Sequence, residues 1–253
     1  MIPSHTTDEW AAIAEAWLDK VERHPEAHRV ELLDTPMLDA VGDIAGKRVI
    51  DLGCGGGRFC RMLAERGAAE VVGVDQVEAF IAYAREQSGP RETYAVADAQ
   101  RELDWPAGSF DAAVSYLALM DMPDPKAAIR EAARLVRPGG GLAVCVVHPM
   151  RSSTEPAGWV RDDAGRRLHW PVADYGREGP RTCDFGHGVG VVTNFHVMLS
   201  TYTAAFTDAG FAIEAIVEPL PTPDQAEASP GWAAEYHAPN FMIFRLRRST
   251  ESG

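Results

Sequence analysis

Short apolar runs alternate with amphipathic segments through the middle of the chain. The runs are rich in β-branched residues and too short for helices, so they predict buried strands at residues 48–52, 71–75, 93–97, 110–115 and 142–147. The segments between them repeat apolar residues at helical spacing and end at glycine or proline. This alternation predicts an α/β fold.

Two helices are predicted before these strands. Residues 6–24 place Trp10 and Trp17 on one helical stripe, which predicts an amphipathic helix. Residues 29–41 predict a second, shorter helix that is interrupted near Pro36. Proline lacks a backbone N–H and clashes with the preceding turn, so the break is expected there.

Beyond residue 148 the pattern changes. Residues 149–193 are polar, rich in glycine and arginine and without helical periodicity, although 160–168 predicts a hairpin around an Asp-Ala-Gly turn. A segment of this length without structure is expected to be functional, so we interpret it as an inserted cap. Further along, we predict a helix at 202–209 capped by Ser200 or Thr201, a sixth strand at 211–218, a second long loop at 219–239 and a last strand at 240–247.

A glycine-rich turn follows the first predicted strand. Gly53, Gly55 and Gly57 allow positive φ angles and expose bare backbone on which a ligand can lie. A helix predicted at 59–66 begins at this turn, so its free N–H groups face the same ligand. Because the second strand ends at the carboxylate of Asp75, the region predicts a nucleoside-binding βαβ unit.

The spacing of the glycines discriminates between nucleosides. A dinucleotide fingerprint requires its third glycine at the position of Arg58, so an NAD-linked enzyme is the weakest hypothesis. The run 51–57, Asp-Leu-Gly-Cys-Gly-Gly-Gly, resembles motif I of the class I S-adenosylmethionine-dependent methyltransferases of the small-molecule type. The turns at 106–111, Pro-Ala-Gly-Ser-Phe-Asp, and at 133–140, Ala-Arg-Leu-Val-Arg-Pro-Gly-Gly, resemble those before strands four and five in that family.

The resemblance extends almost continuously over residues 47–148 and implies the fold. The family has a doubly wound, Rossmann-like sheet of seven mostly parallel strands, in the order 3-2-1-4-5-7-6 with the last strand antiparallel. We therefore expect a cofactor-binding core at 46–148 that is completed by 196–253, with a cap insertion at 149–195 after strand five. In this family N-terminal helices often cover the cofactor, so residues 1–45 form either a lid or helices packed on the core.

The same resemblance implies S-adenosylmethionine as the cofactor and assigns its contacts. In the family the glycine turn passes the methionine part, the acid at the position of Asp75 holds both ribose hydroxyls, and the acid at Asp98 contacts the adenine amine beside the backbone of Ala99. A turn acid without a ligand is the alternative for Asp98. The predicted cofactor contacts are Asp51, Gly53, Cys54, Gly55, Gly57, Asp75, Gln76, Asp98, Ala99 and Ser115.

The acceptor substrate is expected at the carboxyl ends of the strands, where open parallel sheets bind ligands. The cap leaves the sheet at this edge, and the loop after strand six begins there too. An aromatic-lined concave pocket is typical of a small-molecule site. We predict substrate contacts at Tyr116, Met120, Trp159, Trp170, Tyr175, Trp232 and Tyr236.

Histidine titrates near neutral pH, so His148 and His196 at this rim are the candidates for a general base. The alternative for each is a histidine that binds the backbone of the cap or only lines the pocket. Methyl transfer from a sulfonium is an in-line displacement in which positioning supplies about 7–11 kcal/mol, whereas a base adds about 3–5 kcal/mol. Positioning is therefore required and a base is optional.

Composition narrows the class of function. The formal net charge of −13 over 253 residues disfavours a nucleic-acid footprint, which needs clustered lysine and arginine. No segment approaches the ~20 apolar residues of a membrane span. The four cysteines lack the spacing of zinc sites, so we expect a cytoplasmic protein with reduced thiols and a metal-independent reaction.

The leading hypothesis is a methyltransferase that uses S-adenosylmethionine to methylate an O, N or C atom of a small-molecule acceptor, as a monomer or homodimer. One alternative keeps the fold and changes the substrate to RNA or protein. Another is a protein of the same fold that binds the cofactor without transferring its methyl group, because fold alone does not determine function.

Overall fold

The computed structural model describes residues 5–23, 28–155, 157–186 and 188–250. In this part of the chain the strands are β1 Arg48–Leu52, β2 Glu70–Asp75, β3 Glu92–Val96, β4 Phe110–Tyr116, β5 Val136–Val147, β6 Val160–Arg161, β7 Arg167–His169, β8 Gly179–Asp184, β9 Val191–His196, β10 Phe211–Val217 and β11 Phe241–Arg248. The helices are α1 His5–Leu18, α2 Asp34–Val41, α3 Arg58–Glu65, α4 Glu78–Glu86, α5 Pro125–Leu135, α6 Pro149–Ser152, α7 Leu199–Asp208, α8 Pro223–Ala228 and α9 Pro230–His237. Two π-helical segments, Asp19–Arg23 and His28–Leu33, lie between α1 and α2, and a 3₁₀ turn, Leu119–Asp121, follows β4.

Seven strands form the central sheet, in the order β10, β11, β5, β4, β1, β2, β3. The pairs among β1 to β5 are parallel, whereas β11 is antiparallel to both β5 and β10. The expected order 3-2-1-4-5-7-6 with an antiparallel last strand is therefore confirmed. The predicted bounds of these strands agree with the structure to within one residue, except that β5 begins at Val136.

Helices cover both faces of the sheet because successive residues of each strand point to opposite sides. Ile50 of β1 packs in one cluster with Ile129 of α5 and Phe206 of α7. Its neighbour Val49 packs in a second cluster with Met37 of α2 and Leu63 of α3. The central strands are thus buried on both sides, which is why they read as continuous apolar runs.

Residues 219–239, which were expected to form a loop, form α8 and α9 instead, so that prediction is wrong. Each helix has proline in its first turn, after a residue whose side chain accepts a backbone hydrogen bond, Thr222 for α8 and Ser229 for α9. Thr222 and Gln225 also form a reciprocal capping box. These signals are local, and the polar sequence around them lacks the apolar periodicity by which the other helices were identified.

The second predicted helix is divided into two segments as expected, but the division precedes Pro36 by two residues. Pro36 is the third residue of α2, within the first turn, where a helix has no partner for the missing N–H. The change of helix type falls between Leu33 and Asp34. The first predicted helix continues from α1 as a π-helical segment to Arg23, and its predicted end, His24, lies outside the described residues.

The segment between β5 and α7 consists of α6 and two hairpins. The hairpin predicted there is confirmed as β6 and β7, whereas the second, β8 and β9, was not predicted because glycine and polar residues dilute its alternating pattern. Ser200 and Thr201 do not cap α7, because they lie inside its first turn. The backbone N–H groups at the start of this helix instead donate to side chains of Glu178 and Tyr175, at 2.7 and 3.1 Å.

The first helix and the second hairpin pack against each other. The carboxylate of Glu9 in α1 accepts hydrogen bonds from the backbone N–H of Thr193 at 2.7 Å and from its hydroxyl at 3.2 Å. The ring of Phe185, beside β8, packs against Trp10 and Trp17 with centroids 5.6 and 4.5 Å apart. These contacts hold α1 at the edge of the sheet where the parallel strands end.

Candidate functional site

A cleft of about 990 Å³, measured with its open mouth, lies at the carboxyl ends of β1, β2 and β4. Its floor is the glycine turn after β1, and one wall is α1, from which Thr6, Thr7, Trp10 and Trp17 line the cleft. Open parallel sheets bind their ligands at this edge. A concave site with a few polar groups among apolar walls is typical of small-molecule binding.

The backbone of the turn requires glycine at two positions. Gly53 has a φ of 81°, and a Cβ atom there would overlap that of Ala118. Gly57 also has a φ of 81°, and its Cβ would lie 2.6 Å from the hydroxyl oxygen of Tyr94. Gly55, with a φ of 53°, has no other atom within 4 Å of such a Cβ, so open space adjoins the turn at this point.

Gly53→Ala and Gly55→Ala form a matched pair that tests this geometry. Gly55→Ala adds only left-handed backbone strain, which should lower the free energy of unfolding by about 1–2 kcal/mol. Gly53→Ala adds the overlap with Ala118, and overpacking of this kind costs about 1–3 kcal/mol more. Urea unfolding measures both losses. Equal losses would show that the turn relaxes around residue 53.

Asp75 ends β2 and faces the glycine turn. Its two carboxylate oxygens accept hydrogen bonds from the N–H groups of Gly55 at 3.0 Å and Val77 at 2.9 Å. Burial raises the pKa of this carboxyl, and the backbone hydrogen bonds oppose the rise. The next residue, Gln76, accepts a hydrogen bond from the hydroxyl of Thr7 in α1 at 3.0 Å. A fixed carboxylate on a cleft wall is a strong acceptor for hydroxyl donors.

Asp51, near the end of β1, is only 1% exposed. One oxygen accepts a hydrogen bond from the thiol of Cys60 at 3.4 Å, and the other, Oδ1, is buried with no hydrogen-bond partner among the described residues. Burial raises the pKa of Asp51 to about 7, and the thiol hydrogen bond opposes the rise. Because buried polar atoms are nearly always paired, this oxygen in the lining of the cleft indicates a ligand that supplies a donor.

We expect Asp51 to make the ligand-free protein less stable as the pH rises. Its pKa of about 7 in the fold exceeds the value of about 3.9 in an unfolded chain, so the fold binds this proton more tightly. The resulting stabilisation is complete below about pH 4 and is lost as the pH rises through about 7, about 4 kcal/mol in all. The melting temperature of Asp51→Asn, measured across this pH range, should not show this loss of stability. The melting temperature of Asp104→Asn, which changes an exposed site, should depend on pH as that of the wild type does. Parallel pH curves for the wild type and Asp51→Asn would contradict the expectation.

A buried polar network supports another wall of the cleft. Tyr116, at the end of β4, donates its hydroxyl to Asp34 at 3.1 Å. Arg58, at the start of α3, donates two hydrogen bonds to the same carboxylate, one of them at 2.9 Å. The guanidinium of Arg29 lies 5.4 Å from the ring centre of Tyr116 and 6.0 Å from that of Trp17. Because Arg29 also lines the cleft, this wall presents a cation beside aromatic rings.

Asp121 is a residue of the cleft that the sequence did not identify. It ends the 3₁₀ turn after β4 and accepts a hydrogen bond from the side-chain amide of Asn194 in β9. Burial raises the pKa of its carboxyl well above the ordinary value. An acid just beyond the end of a strand is the feature of the sequence that could have identified Asp121. The substrate contact was predicted instead at the neighbouring residue Met120, which is buried and does not line the cleft.

The structure brings seven of the ten predicted cofactor contacts to the cleft: Asp51, Gly53, Cys54, Gly55, Asp75, Gln76 and Ala99. Gly57 is next to them at the start of α3. Asp98 is not in the lining, because its carboxylate accepts hydrogen bonds from the backbone and side-chain N–H groups of Gln100, both at 2.9 Å. Ser115 lies behind the wall, where its hydroxyl donates to the carbonyl of Leu52 at 3.0 Å.

The two histidines proposed as bases do not line the cleft. Nε2 of His196 lies 2.9 Å from the carbonyl oxygen of Tyr175 and therefore bears the proton, and Nδ1 accepts from the hydroxyl of Ser152 at 2.8 Å. This ring is buried, and burial lowers its pKa. Nδ1 of His148 caps α6, and its Nε2 lies 2.9 Å from the carboxylate of Glu218. Both rings are engaged with protein groups, which was the alternative interpretation of each.

Tyr116 lines the cleft, but the other predicted substrate contacts, all in the described part of the chain, do not: Met120, Trp159, Trp170, Tyr175, Trp232 and Tyr236. Trp159 and Trp170 pack on each other and on Arg151, whose guanidinium lies 3.8 Å from the ring centre of Trp170. Tyr236, on α9, is exposed. Trp232 packs against the core. These aromatic residues therefore pack against one another, pack on the core or face solvent, and none of them lines the cleft.

Residues 5–23, 28–155, 157–186 and 188–250 include no group of three or more His, Cys, Asp or Glu side chains placed to hold a metal ion. In the same ranges no helix has both the length and the apolarity to cross a bilayer. The four cysteines are free thiols, and three of them, Cys54, Cys60 and Cys145, are buried.

Comparisons with known proteins agree with this geometry. Residues 50–144 match a protein family described as a methyltransferase domain. The ubiquinone biosynthesis O-methyltransferase of Pseudomonas aeruginosa is 34% identical over 140 residues, which are 54% of this chain. The chain spans 60% of the length of that curated relative.

A solved structure matches over nearly its whole length. The crystal structure of an S-adenosylmethionine dependent methyltransferase from Mesorhizobium loti is 36% identical in sequence, with a TM-score of 0.76. The match covers 88% of this chain and 98% of that one. With the same sheet, a glycine turn and an acid at the end of β2, this chain belongs to the S-adenosylmethionine-dependent methyltransferase family, whose cofactor is S-adenosylmethionine.

Proposed function

We propose that this chain is an enzyme that transfers a methyl group from S-adenosylmethionine to a small-molecule acceptor. The observation that carries the proposal is the bare glycine turn, which faces the fixed carboxylate of Asp75 in one cleft. When bound, the cofactor supplies an electrophilic methyl group on a sulfonium sulfur. The protein has to bind both reactants, align them and exclude water.

The residues of the cleft fit the parts of this cofactor. Asp75 offers acceptor oxygens to the ribose hydroxyls, and Oδ1 of Asp51 is an unpaired acceptor for the α-ammonium group. The guanidinium of Arg29 provides the positive charge that an α-carboxylate requires. Ala97 and Ala99 add small apolar surface, against which a nucleobase can pack.

The contribution of this chain to the reaction is then mainly positioning. Trp10 and Thr7 of α1 cover the cleft, and the hydrogen bonds of Gln76 and Glu9 hold this helix in place. A covered cleft excludes water and limits the approach of the acceptor to one direction. Alignment of this kind can supply about 7–11 kcal/mol of the barrier.

The charge of the protein and the shape of the cleft support a small molecule as the methyl acceptor. The net charge of −13 disfavours RNA, and α1, which is hydrogen-bonded to β9, covers part of the cleft. The Pseudomonas aeruginosa relative is named as an O-methyltransferase, which supports oxygen as the methylated atom. The proposal includes the expectations of a cytoplasmic monomer or homodimer that binds neither nucleic acid nor membrane.

Calorimetry tests the cofactor directly. Titration with S-adenosylmethionine and S-adenosylhomocysteine should give micromolar to sub-millimolar dissociation constants, and NAD⁺ should not bind. Absence of binding by both sulfur nucleosides would refute the proposed function. Preferential binding of NAD⁺ would restore the dinucleotide hypothesis despite Arg58 at the third glycine position.

A further inference from the structure

One carboxylate lies on the border between the cofactor cleft and the cap. Asp121 lines the cleft, yet its hydrogen-bond partner Asn194 belongs to strand β9 of the cap. Only one oxygen of Asp121 is hydrogen-bonded to a side chain of the described residues. The side-chain oxygen of Asn194 is buried and also lacks a hydrogen-bond partner in that part of the chain. The pair therefore presents two acceptor atoms where the cap meets the cleft.

We propose that Asp121 is a catalytic base, that the acceptor substrate carries a hydroxyl group, and that Asn194 positions the base. This inference rests on the proposed function and names the substrate class of the same site. Its support is geometric: Asp121 follows β4 at the carboxyl edge of the sheet, between the residues that fit the cofactor and the segment that covers them.

The chemistry of the base selects the acceptor. A hydroxyl oxygen becomes a good nucleophile only as its proton leaves, so it gains from a carboxylate that accepts that proton. A neutral amine needs no base. A carboxylate beside an amine would instead stabilise the ammonium form, which has no lone pair for the attack. The site therefore suits an alcohol, enol or phenol.

The step balances in atoms and charge. A lone pair of the acceptor oxygen forms the new O–CH₃ bond while the S–CH₃ bond breaks, and the bonding pair stays on sulfur as a neutral thioether. The hydroxyl proton moves to the free oxygen of Asp121 and from there to water. The negative carboxylate and the positive sulfonium are neutralised together, so the step leaves no net charge in the cleft.

Charged and titratable groups from several elements face Asp121. Asp75 of β2 disfavours the ionised form of Asp121, whereas Arg29 and Asn194 favour it. Cys183 of β8 and Tyr202 of α7 are close enough that the charge of Asp121 raises their pKa values. Burial is the largest influence and raises the pKa of Asp121, which makes its carboxylate a stronger base than an exposed one.

Sinefungin tests the position of Asp121 without any acceptor. In this cofactor analogue a carbon with a protonated amine replaces the methylated sulfur, so the amine occupies the place of the transferred methyl group. We expect the wild type to bind sinefungin more tightly than S-adenosylhomocysteine, and Asp121→Asn to reduce this preference about tenfold or more. Asp104→Asn, the exposed control, should retain it. An unchanged preference in Asp121→Asn overturns the proposal.

Measurements of kcat and of its pH profile test whether Asp121 acts as the base. With 3,4-dihydroxybenzoate as the hydroxyl probe, Asp121→Asn should lower kcat by about 10²–10⁴-fold while its affinity for S-adenosylhomocysteine stays unchanged. Asn194→Ala should move the rising limb of the pH profile to higher pH, because the amide hydrogen bond lowers the pKa of Asp121. A structural role of Asn194 would leave that limb in place. Loss of S-adenosylhomocysteine affinity in Asp121→Asn would assign the residue to the cofactor and overturn the proposal.

The failures of the two proposals are distinguishable. If the wild type binds neither S-adenosylmethionine, S-adenosylhomocysteine nor sinefungin, the proposed function is refuted. If the wild type binds them and Asp121→Asn keeps the preference for sinefungin over S-adenosylhomocysteine, only the proposal that Asp121 is the base is refuted. If the wild type does not methylate the hydroxyl probe, the sinefungin comparison decides alone. Thermal melting checks the fold of each variant, and Asp121→Ser replaces Asp121→Asn if the amide is not tolerated.

Discussion

Asp75→Ala should weaken the binding of S-adenosylmethionine by about 10²–10⁴-fold. The two ribose hydroxyls donate hydrogen bonds to this carboxylate, and such bonds contribute about 1.5–3 kcal/mol each. The substitution also frees the N–H of Gly55, which Asp75 holds at 3.0 Å, so the glycine turn loses support. Calorimetry measures the affinity, and thermal melting establishes that the variant is folded.

Glu70→Ala is the matched control, because it removes an acid from the other end of the same strand. Glu70 forms an ion pair with Arg48 at 2.6 Å and does not line the cleft. We expect the affinity of this variant to equal that of the wild type. Unchanged affinity in Asp75→Ala would mean that the cofactor does not contact the end of β2, and the main support for the proposed function would be lost.

The core of the fold could be predicted because its signals are local. Strands β1, β2 and β4 are mainly apolar runs, and the helix between β1 and β2 ends at a glycine, so the predicted bounds of these elements agree with the structure to within one residue. The order of the strands in the sheet, in contrast, cannot be predicted from local signals. Pairing is set by contacts distant in sequence, and the order came from the family resemblance rather than from any pattern in the chain.

The cleft around the glycine turn could be predicted for a similar reason. A turn with positive φ at Gly53 and Gly55, followed by a strand that ends at Asp75, forms its geometry within about thirty residues. Asp98 and Ser115 show the limit of this reasoning. The sequence placed both at strand ends, but the side chain of Asp98 bonds to Gln100 and that of Ser115 to the backbone of β1.

The surroundings of the residues that were expected to bind the acceptor could not be predicted, because they depend on how the segment between β5 and α7 folds. The hairpin β8–β9 lacks a clear sequence signal, and it buries the ring of His196 against Ser152 and Tyr175. Near β4, Met120, which was expected to bind substrate, is adjacent in sequence to Asp121, which lines the cleft. A single 3₁₀ turn decides which of the two faces the cleft, and apolar periodicity does not detect such a turn.

Asp34→Asn should lower the free energy of unfolding by about 3–5 kcal/mol. Asp34 is 5% exposed, and its carboxylate pairs with Arg58 and accepts the hydroxyl of Tyr116. The substitution removes the carboxylate that is hydrogen-bonded to the largely buried guanidinium of Arg58, which is the costly way to break a buried ion pair. Urea unfolding with linear extrapolation measures the loss. Asp39→Asn, at an exposed site on the same helix, should change stability by no more than about 0.5 kcal/mol.

The double variant Asp34→Asn, Arg58→Met separates the lost charge from lost packing. Methionine fills part of the space of the arginine stem and needs no counter-charge, so we expect the double variant to recover most of the stability. A double variant as unstable as Asp34→Asn would show instead that packing or the Tyr116 hydrogen bond stabilises this wall. Because Tyr116 and Arg58 both line the cleft, cofactor affinity should fall in Asp34→Asn and stay low in the double variant. Affinity that returned together with stability would mean that the network acts on the fold and not on the site.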